Sequence, residues 1–275
     1  MTKWRLVNSG VGTAAQNMAV DEAILKAHAA GEVPPTLRFY GWHPAAVSLG
    51  YFQSADAEID IAACRANGID LVRRLTGGRA VLHDMELTYS LVISENDPLI
   101  PPTITASYRY FSQGLIAGLQ KMGVKAQMSM PREAYSQSKR RHASAACFDA
   151  SSHYEITFAG RKLIGSAQVR KDGVIMQHGS ILLTFEPAIL VSLLNLPSAE
   201  KRNSLQKVLA DRVISVSEIM GRDVDWEETY LAMSSSFGPA LGIDVISGEL
   251  TSSEVAAANE LIATKYSQDS WNLMR

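Results

Sequence analysis

One cysteine stands where it could act as a nucleophile. Cys147 lies in Ser144-Ala145-Ala146-Cys147-Phe148-Asp149, among small residues and directly after the basic stretch Lys139-Arg140-Arg141-His142. Small neighbours at the end of a polar loop would leave a thiol accessible, and a thiolate is a strong nucleophile. A lone cysteine is more often a small buried hydrophobic residue, and packing is the better explanation for Cys64, which lies among alanines. Cys147 is therefore a candidate nucleophile, with packing as the alternative.

A lysine fifteen positions later could place a positive charge beside such a thiol. Lys162 lies in Gly160-Arg161-Lys162-Leu163-Ile164-Gly165-Ser166-Ala167-Gln168, where apolar and small residues surround it. Most lysines face water, so an exposed position is the alternative. The turn at Asp172-Gly173 would bring the next strand, which carries His178-Gly179-Ser180, alongside the strand of Lys162. The sequence thus predicts that Lys162 and His178 lie on neighbouring antiparallel strands.

The segment 73–84 contains paired glycines between basic residues. It reads Arg73-Arg74-Leu75-Thr76-Gly77-Gly78-Arg79-Ala80-Val81-Leu82-His83-Asp84. Glycine lets a backbone approach a ligand closely, and nearby arginine or histidine can hold a phosphate or a carbonyl. No Lys-Ser/Thr pair follows the glycines, so this is not a Walker loop. The alternative is a glycine turn with solvated arginines. A metal site at Cys147, His142 and His153 is less favoured, because the spacing forms no compact ligand motif.

The surrounding pattern predicts which elements position these residues. Two capping boxes, Thr13-Ala14-Ala15-Gln16 and Thr251-Ser252-Ser253-Glu254, each open a helix. A third helix is indicated by apolar residues at helical spacing between Pro102 and Gly123. Hairpin turns are predicted at Ala159-Gly160 and at 171–173. Strands are predicted at 36–40, 46–50, 70–73, 87–94, 154–158, 161–169 and 174–183, and a short helix at 59–67.

Hairpins mixed with helices favour an α+β fold with a largely antiparallel mixed sheet flanked by helices. We interpret residues 1–275 as a single catalytic domain, with a small C-terminal subdomain at 200–275 as the alternative. The 26 Lys plus Arg against 28 Asp plus Glu give a net charge of −2, which argues against a nucleic-acid partner. Two cysteines do not make a disulfide scaffold and favour a cytoplasmic location. No apolar run is long enough for a membrane partner.

The motifs taken together resemble a known family. The segment 73–84, the segment 160–168 and Gln177-His178-Gly179-Ser180 resemble, in the same order, the signatures of the lipoate/biotin protein ligase superfamily. The resemblance runs from about residue 4 to residue 185, with a fainter echo at Lys265-Tyr266 and Trp271-Asn272. Within the superfamily, Cys147 makes the chain look like the octanoyltransferases of bacterial lipoate assembly, above all those that load the glycine-cleavage H protein. The fold implied is that of the class II aminoacyl-tRNA synthetase and biotin/lipoate ligase catalytic domains.

The resemblance also implies an activity. It implies transfer of octanoyl from acyl carrier protein to a lysine of a lipoyl-domain protein such as the glycine-cleavage H protein, with no cofactor and no metal. Cys147 would form an octanoyl thioester, and Lys162 would lower the pKa of its thiol. The residues expected to bind substrate are Arg73, Gly77, Gly78, His83, Gly165, Ser166, Ala167 and His178.

One departure and three alternatives remain. Many ligases that use ATP have a third glycine where this chain has Arg79, which puts close approach of an adenylate in doubt and fits a donor that arrives already activated. An ATP-dependent lipoate ligase would share Lys162 and the glycine segment without needing Cys147. A lipoyl-domain amidotransferase would use the same covalent chemistry with another donor. In an acyl-binding protein without activity, Cys147 would only pack.

Overall fold

A large mixed sheet forms the centre of the protein. The structure is a computed structural model that describes residues 2–129 and 155–275. Within these residues the sheet has eight strands in the order β11-β1-β2-β6-β10-β9-β8-β7, and a smaller sheet has the order β4-β3-β5. The strands are β1 Lys3–Gly12, β2 Thr36–Trp42, β3 Ala46–Leu49, β4 Asp70–Arg73, β5 Val81–His83, β6 Glu86–Ser94, β7 Gln127–Met128, β8 Ile156–Phe158, β9 Arg161–Lys171, β10 Val174–Leu182 and β11 Asp244–Ser247.

Most of the pairings in the large sheet are antiparallel. Strand β1 runs parallel to β2 and β11, whereas the pairs from β2 through β6, β10, β9 and β8 to β7 are antiparallel. The turns between β8 and β9 and between β9 and β10 have positive φ at both central residues, at Ala159-Gly160 and Asp172-Gly173. Such turns match the twist of paired strands. The predicted α+β fold and both predicted hairpins are confirmed.

Helices cover both faces of the large sheet. On one face α4 and α8 pack over a core that includes Phe111, Leu115 and Phe237. On the other face the alanine-rich α1 lies against the sheet and is covered in turn by α9. The helices are α1 Ala14–Ala29, α2 Ala55–Glu58, α3 Ile61–Ala66, α4 Ile104–Lys121, α5 Pro187–Ser192, α6 Ala199–Arg212, α7 Val216–Met220, α8 Trp226–Leu241, α9 Ser252–Leu261 and α10 Asp269–Asn272, with a π-helical turn at Ile262–Tyr266.

Local sequence signals account for several of these boundaries. Both predicted capping boxes form, at Thr13 before α1 and at Thr251 before α9. Helix α3 begins at Ile61, two residues later than predicted, because the Asp60 side chain accepts a hydrogen bond from the amide of Ala63. Helix α9 ends at Leu261, where the chain continues as the π-helical turn.

Among the described residues, no helix combines the length and apolarity needed to cross a membrane.

The C-terminal quarter is attached to the first strand. Strand β11 pairs with β1, and the guanidinium of Arg5 binds both carboxylate oxygens of Glu254 at 2.8 and 2.6 Å. Such bidentate, charge-assisted pairs are the stronger hydrogen bonds of proteins. The alternative of a small subdomain at 200–275 stays a prediction.

Candidate active site

A cavity of about 110 Å³ lies between the small sheet and the large one. Its lining comes from β3 and β5 on one side and from β2, β6, β9 and β10 on the other, with Met18 of α1. The structure therefore brings the three motif segments together, although nearly a hundred residues separate the first from the last. Six of the residues expected to bind substrate line this cavity: Gly78, His83, Gly165, Ser166, Ala167 and His178.

The glycine segment folds tightly against the end of β3. Gly78 has a φ of +103°, which side-chain-bearing residues rarely adopt, and its carbonyl lies so close to Gly50 that a Cβ at Gly50 would collide with it. Gly77 lies outside the cavity lining, and its carbonyl oxygen accepts a hydrogen bond from Arg74 Nη2 at 2.9 Å. The two glycines thus shape the rim of the cavity through the backbone.

The two adjacent arginines have different surroundings. Arg73 lies outside the cavity lining, and its fully buried guanidinium donates to the carbonyls of Gly50, Tyr51 and Gln53 at 2.8 to 3.1 Å. It holds the chain that follows β3. Arg74 lines the cavity. Successive side chains of an extended chain point to opposite sides, so one of the two adjacent arginines is expected to face the cavity and the other to face away. The sequence alone does not say which.

One histidine of the lining connects a carboxylate to a hydroxyl. His83 Nδ1 lies 2.7 Å from Glu86 Oε1, and His83 Nε2 lies 2.7 Å from Ser48 Oγ. The indole of Trp42 stacks on the imidazole with the ring centroids 4.0 Å apart. The same Glu86 oxygen also accepts hydrogen bonds from the hydroxyls of Ser180 and Thr88. This arrangement fixes the ring of His83 on the wall of the cavity.

The second histidine is held in a similar way. His178 Nδ1 lies 3.5 Å from Asp21 Oδ2, and His178 Nε2 lies 2.6 Å from Thr76 Oγ1. Asp21 also forms a buried salt bridge to Arg38 at 2.7 Å and accepts a hydrogen bond from the hydroxyl of Tyr40 at 2.9 Å. Burial lowers the pKa of His178, although Asp21 opposes the shift. His178 is therefore uncharged at neutral pH.

A single arginine joins these two histidine systems, Glu86–His83–Ser48 and Asp21–His178–Thr76. Arg74 Nε donates to Thr76 Oγ1 and Arg74 Nη1 to Ser48 Oγ, each at 3.1 Å. The result is a continuous chain of polar groups from Asp21 to Glu86 along one wall of the cavity. Polar networks of this kind rigidify a site when their groups are paired.

Asp21 is the charged group on which one end of this chain depends. Its burial opposes ionisation, but Arg38 and the hydrogen bond with His178 outweigh that effect and lower its pKa. Replacing Asp21 by Asn leaves the buried charge of Arg38 without its partner, and breaking such a pair costs about 3–5 kcal/mol. We expect Asp21→Asn to reduce the free energy of unfolding by that amount at pH 7, measured by chemical denaturation.

The pH dependence of that loss has a defined sign. Because folding lowers the pKa of Asp21 below its unfolded value of about 3.9, its contribution to stability is present above that pH and is lost as the pH falls. The difference between the wild type and Asp21→Asn should therefore shrink in acid. Asp56→Asn, an exposed carboxylate in α2, is the matched control. Equal free energies of unfolding for the wild type and Asp21→Asn at pH 7 would contradict this account.

Lys162 is buried on β9, towards the β7 edge of the large sheet. Only 4% of its surface is exposed, and its Nζ lies 2.8 Å from Glu155 Oε1. Lys162 lies on the same strand as the cavity residues Gly165, Ser166 and Ala167 but is outside the lining itself. A buried lysine needs a partner, and Glu155 is a partner that the sequence motifs did not indicate.

Several sequence predictions fall on residues that the structure does not describe. The candidate nucleophile Cys147, the basic stretch 139–142 and His153 lie outside the described residues. The other cysteine, Cys64, is buried in α3, as expected for a packing residue. Among the described residues, no cluster of His, Cys, Asp and Glu could hold a metal ion.

The C-terminal residues with the weaker resemblance, Lys265-Tyr266 and Trp271-Asn272, contact elements that position the site. Lys265 Nζ and the Tyr266 hydroxyl both contact Glu22 Oε2 of α1, at 2.7 and 2.6 Å. Asn272 Oδ1 accepts a hydrogen bond from the backbone amide of Arg73 at 2.9 Å. These contacts fasten α1 and the base of the glycine segment to the end of the chain.

Comparison with known proteins adds an independent finding. Residues 13–238 match the family described as the lipoyl protein ligase A/B catalytic domain. The chain is 48% identical to the octanoyltransferase LipM of Kyrpidia tusciae, with 99% of each chain covered. It is 41% identical to the octanoyltransferase LipM of Bacillus subtilis, covering 99% of this chain and 98% of that protein.

Two solved structures share the fold. A bipartite lipoate protein ligase of Thermoplasma acidophilum, studied with its E2 lipoyl domain, superposes with a TM-score of 0.81 at 28% identity, covering 100% of this chain and 98% of the other. A lipoate-protein ligase A bound with ATP gives a TM-score of 0.78 at 28% identity, covering 98% of both chains. Both the ligase fold and the transferase sequence are thus matched over nearly the whole length.

Proposed function

The chain belongs to the lipoyl protein ligase A/B catalytic-domain family, and on that premise we propose that it is an octanoyltransferase of lipoate biosynthesis. The observation that carries the proposal is the identity of 40–48% with octanoyltransferases over almost the full length of both chains. The acceptor is the lysine of a lipoyl-domain protein, and the glycine-cleavage H protein is the acceptor we favour. The donor we propose is octanoyl-acyl carrier protein.

The proposed reaction proceeds through Cys147. Its thiolate attacks the carbonyl of the donor thioester, the carrier thiol leaves, and the octanoyl group remains on the enzyme as a thioester. The amine of the acceptor lysine then displaces the enzyme thiolate and forms the amide. Exchange of one thioester for another is nearly isoenergetic, so the first step needs no added source of energy.

Lys162 is proposed to hold Cys147 as the thiolate. An ordinary thiol with a pKa of about 8.5 is only about 3% ionised at pH 7. Lowering that pKa by about two pH units requires about 2.7 kcal/mol, which a partly desolvated ammonium a few ångströms away can supply. The burial of Lys162 supports this role, because it takes the ammonium out of water. The ion pair with Glu155 fixes the position of the ammonium and offsets part of its charge.

The cavity is proposed to bind the acyl group. Part of the cavity wall is apolar or lacks side chains. It is formed by the side chains of Met18 and Val81 and by the backbone of Gly78 and Gly165. Each methylene buried there would contribute about 0.8 kcal/mol, so an octanoyl tail would gain about 5 kcal/mol. The polar chain that includes His83 and His178 lies along one wall of the cavity and is proposed to provide hydrogen bonds to the carbonyl end of the acyl group.

ATP independence is a prediction of this proposal. The donor thioester already carries the activation energy, and the cavity residue Arg79 stands where many ligases have a third glycine, with its side chain 3.6 Å from Glu58. We expect purified protein to transfer octanoyl from its carrier to the H protein in the presence of EDTA and without nucleotide. Mass spectrometry of the H protein measures the product.

The same assay separates the alternatives. A strict requirement for ATP and Mg²⁺ with free octanoate or lipoate as substrate would assign the chain to the ligase class, as in the ATP-bound structure that it resembles. Faster transfer from an octanoylated lipoyl domain than from the carrier would assign it as an amidotransferase. Binding of octanoyl carrier without transfer would leave only an acyl-binding role.

A further inference from the structure

The positions of the protons in the two histidine systems follow from their partners. An ionised carboxylate can only accept hydrogen bonds, so Nδ1 of His83 facing Glu86, and Nδ1 of His178 facing Asp21, must carry the proton. Each neutral ring then has an unprotonated Nε2, and the adjacent hydroxyl, of Ser48 or Thr76, donates to it. Both rings are therefore arranged to accept a proton through the adjacent hydroxyl, and of these two hydroxyl residues Ser48 lines the cavity whereas Thr76 does not.

The two carboxylates differ in how their charge is balanced. Asp21 already has Arg38 as its cation, at 2.7 Å with both side chains about 2% exposed. Among the described residues, Glu86 forms its one ion pair with His83, and its Oε2 is buried without a hydrogen-bond partner. Burial of an unbalanced carboxylate is unfavourable. A proton on His83 would give Glu86 the cation that it lacks, whereas a second positive charge at His178 would face a carboxylate already paired with Arg38.

The second half of the proposed reaction has a proton to dispose of. A lysine side chain has a pKa of about 10.4, so fewer than about one in a thousand is an uncharged amine at pH 7. An amine that attacks a thioester must lose a proton as the C–N bond forms and the C–S bond breaks. Lys162 is proposed to carry a positive charge in support of the thiolate, and a charged ammonium cannot serve as the base.

We propose that Ser48, His83 and Glu86 form the proton relay for this step, an inference that rests on the proposed octanoyltransferase function. As the acceptor amine attacks the octanoyl carbonyl and the cysteine sulfur leaves as thiolate, the amine proton passes to Ser48 Oγ. The proton of Ser48 moves to His83 Nε2, and Glu86 stabilises the resulting imidazolium. Both Ser48 and His83 line the cavity, and the stacked Trp42 holds the ring in place.

The test compares two amines that attack the same octanoyl-enzyme. The enzyme is loaded with octanoyl, freed from donor and mixed with either the H protein or hydroxylamine. The nitrogen of hydroxylamine is uncharged at neutral pH, and it is so weakly basic that it gives its proton to water during attack without a base on the enzyme. We expect His83→Gln and Ser48→Ala to slow attack by the H protein about 100-fold or more, the range of general-base catalysis. Attack by hydroxylamine should change less than about threefold, because no ammonium has to be deprotonated.

Two further variants serve as references. His178→Gln removes an equally buried imidazole with the same kinds of neighbours. We expect this variant to slow attack by both amines by the same factor, which is the pattern of a merely structural effect. His43→Gln changes an exposed histidine outside the cavity and should leave both rates unchanged. Equal slowing of the two amines in His83→Gln and Ser48→Ala, or no slowing in either, would overturn the relay. A wild-type protein that takes up no octanoyl would instead overturn the proposed function.

Discussion

Replacing Cys147 by alanine is expected to abolish octanoyl transfer together with the octanoyl adduct on the enzyme. The proposed reaction has no route from donor to acceptor that avoids the cysteine sulfur, so transfer should fall to background rather than to an intermediate value. The measurement is formation of octanoylated H protein, followed by mass spectrometry, with octanoyl-acyl carrier protein as the donor.

The second cysteine provides the matched control. Cys64 lies in α3 with 1% of its surface exposed, and burial, with a contribution from Asp60, raises the pKa of its thiol to about 11. A buried thiol of that kind is neither ionised nor accessible at pH 7. Cys64→Ala should retain transfer and the adduct. Retention of full transfer in Cys147→Ala would contradict a covalent cysteine intermediate.

Removing Lys162 is expected to make the thiol of Cys147 far less reactive. If the ammonium of Lys162 holds the thiolate, Lys162→Ala returns the thiol towards its ordinary pKa of about 8.5, at which about 3% is ionised at pH 7. Because only the thiolate reacts, alkylation by iodoacetamide at pH 7 should slow about 30-fold. The rate is measured across a range of pH in the Cys64→Ala background, so that one thiol remains.

A lysine elsewhere on the same strand separates this effect from a general loss of charge. Lys171 lies at the exposed end of β9, and Lys171→Ala should leave the alkylation profile unchanged. The Lys162→Ala profile should move to higher pH, and transfer should slow with it. An unchanged profile would contradict the pairing of Lys162 with Cys147 and would leave the nucleophile itself in place.

Much of the frame that positions the site could be predicted from local sequence. The hairpins at Ala159-Gly160 and Asp172-Gly173 follow from turn residues that adopt positive φ, and they place β9 beside β10. The pairing sets Ala167 opposite His178, so the second and third motifs meet as predicted. The capping boxes at Thr13 and Thr251 likewise depend on residues three positions apart. Such signals are short-range, which is why one sequence reveals them.

The groups that complete the site could not be predicted in the same way. Ser48, Arg74 and Glu86 meet only because β3 pairs with β5 and because the glycine segment turns back over the end of β3. Nothing in the immediate neighbours of Ser48 or Glu86 distinguishes them from ordinary strand residues. Asp21 did give a signal, since it lies on the buried side of an alanine-rich helix where an unpaired carboxylate would be unfavourable.

Arg73 shows the limit of motif reasoning most clearly. It belongs to the segment that supplies the cavity, yet its guanidinium binds backbone carbonyls and its amide binds Asn272. Its neighbour Arg74 contacts the two hydroxyls of the histidine systems instead. A pattern of residue types identifies the segment, whereas the direction of each side chain depends on strand geometry.

The most direct test of the covalent route is the mass of the intact protein during the reaction. Wild-type protein mixed with octanoyl-acyl carrier protein, in EDTA and without nucleotide, should gain the mass of one octanoyl group, and fragmentation should map that group to Cys147. Addition of the H protein should remove the adduct and place one octanoyl group on the acceptor. Transfer to the acceptor without any adduct on Cys147, or a requirement for ATP before octanoyl appears, would contradict the account.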